Sequence, residues 1–273
     1  LTATLSEQTK QDPRIRKSRR MPFENLKRVL VFVAHPDDET IGCGALLQRV
    51  PSLLVVFAVD GAPPGYGFER KFGSLKNYSE ERFKEAGRAL GLVPKCSFRR
   101  LKRRDGAYFP DRRLFEDLRE SASSLLAIAR EFSPEAIVTH AYEGGHIDHD
   151  ACSFLANYAA NVLSLQRFEF PLYWKDGYGR DVFQEFRNVQ EGAILLNLSE
   201  AEITIKNKML AAYETQREIV AMFSPNTEKF RPAPVYDYAH PSWNSYPPGN
   251  WRSRRVLRAV LRQFSEFPYI AGR

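Results

Sequence analysis

The chain has 273 residues, 43% of them hydrophobic and 27% charged, with a net charge of +7 and a pI near 9.3. That composition can bury a full core, and no run approaches the roughly 18 consecutive apolar residues that a membrane span needs. The basic excess lies in the first 20 residues, in residues 99–104 and in residues 252–262; FRRLKRR lacks the interleaved aromatics of a single-strand platform, so no nucleic-acid partner is expected and solvated surface is the plainer reading.

In chain order, residues 1–20 are polar and basic without an apolar centre. They read as part of a flexible basic segment over 1–22, not as a signal peptide, ahead of a single domain over 23–273. The β-branched run at 28–34 predicts a buried strand that Pro36 stops, followed by a helix over 39–50. A strand over 53–59 leads into GAPPGYGFERKFGSLKN at 61–77, a loop over the mouth of a site or an ordinary surface connection. Next come a helix at 79–90, a strand at 96–99, a helix at 114–132, a strand at 136–140 and a helix at 148–164. A strand at 193–198 and a helix at 200–218 complete the alternation. The fold class that follows is α/β, a Rossmann-like mostly parallel sheet flanked by helices, with an irregular Pro/aromatic-rich C-terminal region over 223–273. Gly42-Cys43-Gly44 lies inside a predicted helix and is no G-x-G-x-x-G turn, which argues against a dinucleotide. In the last region Trp243 or Trp251 could stack on a sugar face. The final helix, 252–264, carries Val256, Leu257, Val260, Leu261 and Phe264 at helical spacing; core docking is the default, and a membrane-surface helix the sharper alternative. Cys43, Cys96 and Cys152 are odd in number and lack C-x-x-C spacing, so reduced thiols and a cytoplasmic location are expected.

Two acidic segments hold three of the five histidines: VFVAHPDDE at 31–39 and GGHIDHD at 144–150. Each follows a predicted strand and opens a predicted helix, so two strand ends can set both around one point, where α/β sheets bind ligands. Two imidazoles and one carboxylate would fill the three protein positions of a catalytic zinc, leaving another Asp free to take a proton from activated water. Asp38 and Asp148 as helix caps are the plainer alternative. His140, at a strand end, is a candidate to support such a site, whereas His240 lacks acidic neighbours of the same kind.

AHPDDE together with HIDH, about 110 residues apart, resembles the PIG-L/LmbE-like zinc-dependent N-deacetylases, which include GlcNAc-phosphatidylinositol deacetylases and deacetylases of the mycothiol and bacillithiol pathways. The resemblance implies His35, Asp38 and His149 as ligands of Zn2+, or of another divalent metal such as Fe2+. It implies Asp37 as general base, His146 as the group that polarises the carbonyl, and Asp148 as the residue that orients His146 or His149. SEERFKEAGRALG resembles the family's R-x-x-E helix, with Arg82 contacting sugar hydroxyls and Glu85 as its partner. Asp105-Gly106 resembles the acidic turn after the third strand, a second sugar contact. KNKMLAAYETQ resembles a further family helix, although Met209, Tyr213 and Thr215 replace its usual Ala, His and Ser. Gly144 stands where some members carry an aromatic residue, with Tyr142 nearby.

The function that follows is removal of an N-acetyl group from an N-acetylglucosaminyl conjugate or related amino sugar, releasing acetate. The partner is a small-molecule amino-sugar conjugate. Alternatives are a metal-dependent hydrolase of another bond, such as a phosphoester, and a carbohydrate-binding protein without turnover.

Overall fold

The computed structural model describes residues 15–18, 25–188, 192–247 and 251–268. Its main sheet has eight strands: β1 (Ile15–Ser18), β2 (Arg28–Val33), β3 (Ser52–Phe57), β4 (Cys96–Arg100), β5 (Ala136–His140), β6 (Gln166–Phe170), β9 (Ala193–Leu196) and β10 (Lys229–Pro232), in the order β1-β9-β10-β6-β5-β2-β3-β4. A separate ribbon pairs β7 (Tyr173–Lys175) with β8 (Asp181–Phe183). Strands β4, β3, β2, β5 and β6 run parallel, while β10 is antiparallel to both of its neighbours.

The parallel half is covered on both faces, and strand alternation decides what goes where. Val29, Val31 and Val33 of β2 pack with α1 (Asp38–Arg49), α3 (Leu75–Leu90) and α6 (Glu200–Ala211), through residues such as Leu46, Ala86 and Met209. Leu30 and Phe32 face α4 (Leu118–Phe132), α5 (Ile147–Leu163) and α8 (Trp251–Glu266), through Leu125, Leu155 and Val260. Helix α1 is buried from Asp38 to Leu47, and its two glycines explain how. A Cβ on Gly42 would lie 2.3 Å from the Phe170 ring, and one on Gly44 would lie 2.8 Å from the Lys206 chain. Small residues here admit neighbours, not a pyrophosphate.

Several expectations are corrected. Ile15–Ser18, expected within a flexible segment, is an edge strand pairing parallel with β9; residues 1–14 and 19–24 lie outside the described residues. The loop expected at 61–77 contains a short helix, α2 (Phe68–Phe72), and α3 starts at Leu75, where Ser74 accepts from the Asn77 amide. The helix expected over 200–218 ends at Ala211; a 3-10 turn at Glu214–Gln216 and a short α7 (Arg217–Val220) follow. The C-terminal region is no mere surface tail. Tyr238 and Tyr246 are buried, and α8 docks on the core through Leu257, Val260 and Phe264, as its spacing predicts. The run at 99–104 is largely paired with carboxylates near the surface: Arg99 pairs with Glu131, Arg100 with Glu80 and Arg103 with Asp117. No helix among the described residues is long and apolar enough to cross a membrane.

Candidate active site

Strand β2 has β3 on one side and β5 on the other, so chain direction across the sheet switches between β2 and β5. At such a switch point adjacent connections leave in opposite directions and open a crevice at the carboxyl ends of the strands. The loops after β2 and β5 are the two His/Asp motifs. They meet there.

Asp38 is the hub. Its Oδ2 accepts from the His35 amide at 2.8 Å and lies 3.2 Å from His35 Nδ1, 3.3 Å from His140 Nε2 and 3.5 Å from His149 Nε2. Burial would raise the Asp38 pKa, but the imidazoles of His149 and His140 outweigh it and hold the carboxyl well below its usual range. On the other side of His35, Nε2 lies 3.5 Å from Asp148 and 3.6 Å from Asp111. Donor atoms therefore converge in overlapping sets, His35 with His146 and His149, His35 with Asp111, His146 and Asp148, and Asp38 with His140 and His149. The expected trio of His35, Asp38 and His149 is brought together around one carboxylate oxygen. Nitrogen and carboxylate donors with little exposure are the chemistry of a divalent cation site, and beside them Asp111 Oδ1 is buried without a hydrogen-bond partner.

Asp37 occupies the N-cap position of α1, yet its side chain makes no cap bond, and its backbone sits at φ 141°. A non-glycine residue held there is strained, which marks a position selected for where its side chain goes. Its Oδ2 accepts from Arg82 Nη2 at 2.9 Å. Burial pushes the Asp37 carboxyl up to about 7, with the Arg82 charge opposing. The helix-cap alternative fails for Asp38 and Asp148 alike, since Asp38 lies inside the first turn of α1 and the N-cap of α5 is His146.

His146 is the N-cap of α5, and its Nδ1 accepts from the Asp148 amide at 3.2 Å. Since Nδ1 is the acceptor, the proton of the neutral ring resides on Nε2. Burial, reinforced by His35, keeps that ring's pKa well below the ordinary value. His146 is thus a neutral donor on the wall of a cavity of about 150 Å³ that also exposes His35, Asp37, Asp38, His149, Arg82 and Asp111.

Four expectations need correction. Arg82 is not free for a sugar: Nη1 donates to the Gly61 carbonyl at 2.6 Å, while Nη2 serves the Pro36 carbonyl and Asp37. Glu85 is not its partner, because both Glu85 oxygens accept from Thr215. Asp105 is exposed in a turn, where it accepts from the Ala107 amide; Asp111, six residues on, is the carboxylate in the cavity. Asp148 does not orient His146 or His149 with its carboxylate, which accepts from the Arg112 and Leu114 amides and faces His35.

Other residues fall into supporting positions. His140 stacks on His149 with centroids 4.0 Å apart and planes 2° apart, and its Nε2 accepts from the Ala34 amide. His240 is exposed and pairs with Asp237. Tyr142 is turned away, donating to the Tyr238 carbonyl. Trp243 fills the place that Gly144 leaves, since a Cβ there would lie 2.5 Å from the indole. Trp251 opens α8, and its side chain lies outside the described residues. Lys206 is buried and bonded to Glu228 and to the Ile41 carbonyl, while Tyr213 donates to Glu39. Lys206 and the divergent Tyr213 therefore brace α1 from behind, while the divergent Thr215 bonds Glu85 of α3. Tyr173, absent from the sequence reading, lines the cavity with its ring 5.4 Å from His149.

Residues 30–160 match the family described as PIG-L, GlcNAc-PI de-N-acetylase. The chain carries a PIG-L family domain. No curated protein matches it in sequence. The fold of this chain is shared with the zinc-inhibited form of teicoplanin deacetylase Orf2, at 18% identity and a TM-score of 0.56 over 77% of this chain and 99% of that one. A triple mutant of the same deacetylase superposes at 20% identity and a TM-score of 0.59, with the same coverage. The pseudoaglycone deacetylase Dbv21 does so at 19% and 0.53, over 76% of this chain and 96% of that one. The PIG-L match spans both motifs and the strands that carry them; α6, the Pro/aromatic region and α8 lie beyond it.

Proposed function

We propose that the chain is a metal-dependent N-deacetylase acting on an N-acetylglucosaminyl conjugate or related N-acetyl amino sugar, with acetate and a free amine as products. The observation that carries this is the placement of Asp37: a strained, buried carboxylate, outside the hub of imidazoles yet opening into the same cavity as His146 and that hub. Binding alone would not require it.

His35, Asp38 and His149 would hold the ion, zinc or iron(II). Such an ion supplies Lewis-acid polarisation of the amide carbonyl and lowers the pKa of water. Asp37 takes the proton of the attacking water, its carboxylate kept in place by Arg82. The Nε2–H of His146 donates to the oxygen on which charge develops, at a position set by the Nδ1 bond to the helix amide. Asp37, now protonated, returns that proton to the departing nitrogen, directly or by replacing one given up by His146, so that the amine leaves uncharged and the acetic acid formed loses its remaining proton to solvent as acetate. Asp148 and Asp111 flank His35 Nε2, and Asp111 Oδ1 accepts a substrate hydroxyl, the contact expected earlier of Asp105. The similar structures, a teicoplanin deacetylase and an A40926 pseudoaglycone deacetylase, support the same bond and leave the conjugate open.

The test is acetate release from a panel of N-acetylglucosaminyl conjugates set beside a panel of phosphoesters, with bound metal measured in the same samples. Acetate from the first panel, nothing from the second and about one equivalent of metal is the expected result. Phosphate release with two equivalents would move the protein to the phosphoester alternative.

A further inference from the structure

The cavity that holds Asp37 and His146 is small, about 150 Å³, below the roughly 300 Å³ at which sites for whole drug-sized ligands begin. It does not end there. Arg112, His146 and Tyr173 also line a second cavity of about 480 Å³, so a substrate with its amide beside His146 projects its remainder into the larger space. Three elements build that space. Phe115 comes from the 3-10 turn at Leu114–Asp117, Ile147 from the first turn of α5, and Val256 with Arg252 from α8.

Phe115, Ile147 and Val256 offer carbon, while Arg112 offers charge at the junction of the two cavities. The Arg112 backbone is fixed at φ 64° by its amide bond to Asp148. Its guanidinium rests 4.9 Å over the Tyr66 ring and donates to no described residue. The carboxylate on this lining, Glu116, is already engaged by Arg113 at 2.6 Å. Across the junction Arg112 also faces the Asp111 carboxylate, but on the lining of the larger cavity the carboxylate of Glu116 is turned to Arg113 and leaves the Arg112 edge to a ligand. A guanidinium backed by an aromatic ring and free at its edge suits a carboxylate or phosphate, which it can meet through paired N–H donors.

We infer that this cavity is the subsite for the aglycone, and that it selects one joining an apolar ring or chain to an acidic group. The inference deepens the deacetylase reading and rests on it. Arg112, Phe115 and Ile147 lie within residues 30–160, whereas the wall formed by Val256 and Arg252 of α8 lies beyond them.

The probes are the methyl, benzyl and 4-carboxybenzyl glycosides of N-acetylglucosamine in both anomeric forms, given to the metal-loaded full chain. In kcat/KM, benzyl should exceed methyl, and 4-carboxybenzyl should exceed benzyl, each by about tenfold. Arg112→Gln should collapse the second ratio and keep the first, whereas Val256→Trp should collapse both. Arg258→Gln, on the exposed face of α8, should change neither. Calorimetric binding of the deacetylated 4-carboxybenzyl glycoside, with and without these substitutions, reads the cavity without turnover. Acetate release at equal kcat/KM from all three probes would overturn the inference and leave the deacetylase reading standing. No acetate from any probe, with binding that still depends on Arg112 and Val256, would overturn the reaction and keep the cavity's preference; absence of both overturns both.

Discussion

Asp37 and Arg82 form a buried ion pair, each side chain 5% exposed, and removing one partner of such a pair strands the other. Arg82→Met should lower stability by about 3–5 kcal/mol. The double variant Arg82→Met/Asp37→Asn should recover most of that loss in urea melts; an additive result would show that the contact is not a coupled pair. Asp37→Asn alone should keep bound metal and lower kcat by about 10²-fold or more. For His146 the neutral ring and fixed tautomer set the expectation. His146→Ala should retain the metal and lose on the order of 10²-fold in kcat with a smaller change in KM, since an oxyanion donor acts mainly in the transition state. Metal loss in that variant would make His146 a ligand. That these residues gather at one place was legible in the sequence because HPDDE and GGHIDHD are local and each follows a strand. Asp111 was not, because nothing in DGAYFPDRR distinguishes its second Asp from its first. Only the turn that closes on Lys102 and Tyr108 carries Asp105 outward while Asp111 returns to the strand ends.

Among elements, α1 and α6 are joined at their surface by one carboxylate with two tasks. Glu202 completes the capping box with Ser199 and pairs with Arg49. Burial would raise its pKa, but Arg49 and the Ser199 bonds win and lower it from 4.5 to about 2. A depressed carboxylate adds stability above its unfolded pKa and loses it as pH falls through the folded value. Wild type should therefore exceed Glu202→Gln by about 1 kcal/mol at pH 7, and the gap should close between pH 4.5 and about 2. A gap unchanged at low pH would rule out the charge as its cause. The parallel strands were legible because runs such as VLVFV are apolar on both faces. Strands β6 and β10 were not: QRFEF and KFRP mix charge into every other position, and those charges find partners distant in sequence, as where Arg231 donates across the strands to Glu169 at 2.7 Å. Residue periodicity cannot reveal a pair 62 positions apart.

At the scale of the molecule, the imidazole and carboxylate donors are tied to β2, β5 and α5, so a bound ion bridges segments about 110 residues apart and favours the folded state alone. Zinc at about 1,000 times its dissociation constant should add about 4 kcal/mol. A chelator should lower Tm accordingly. His35→Ala should abolish the zinc-dependent rise, and a rise that persists would place the ion elsewhere. The same segments are held from outside by the C-terminal region. Tyr246 donates to Asp150 at 2.8 Å, Tyr238 contacts Ser153, and Phe264 stacks on Phe154 with centroids 4.3 Å apart. Phe264→Ala should cost about 3–5 kcal/mol, and denaturant melts can read it.

That clasp sets an order of events during synthesis. A nascent chain that has emerged only as far as β10 already contains both His/Asp motifs, but the helix bearing His149 still lacks Tyr238, Tyr246 and Phe264 against its flank. On the deacetylase reading, the site works only after translation of a stretch whose described residues supply none of the converging donors. Stalled chains ending near residue 232 should be silent in acetate release, and chains ending beyond Phe267 active; activity in the shorter chains would show that the site matures without its clasp.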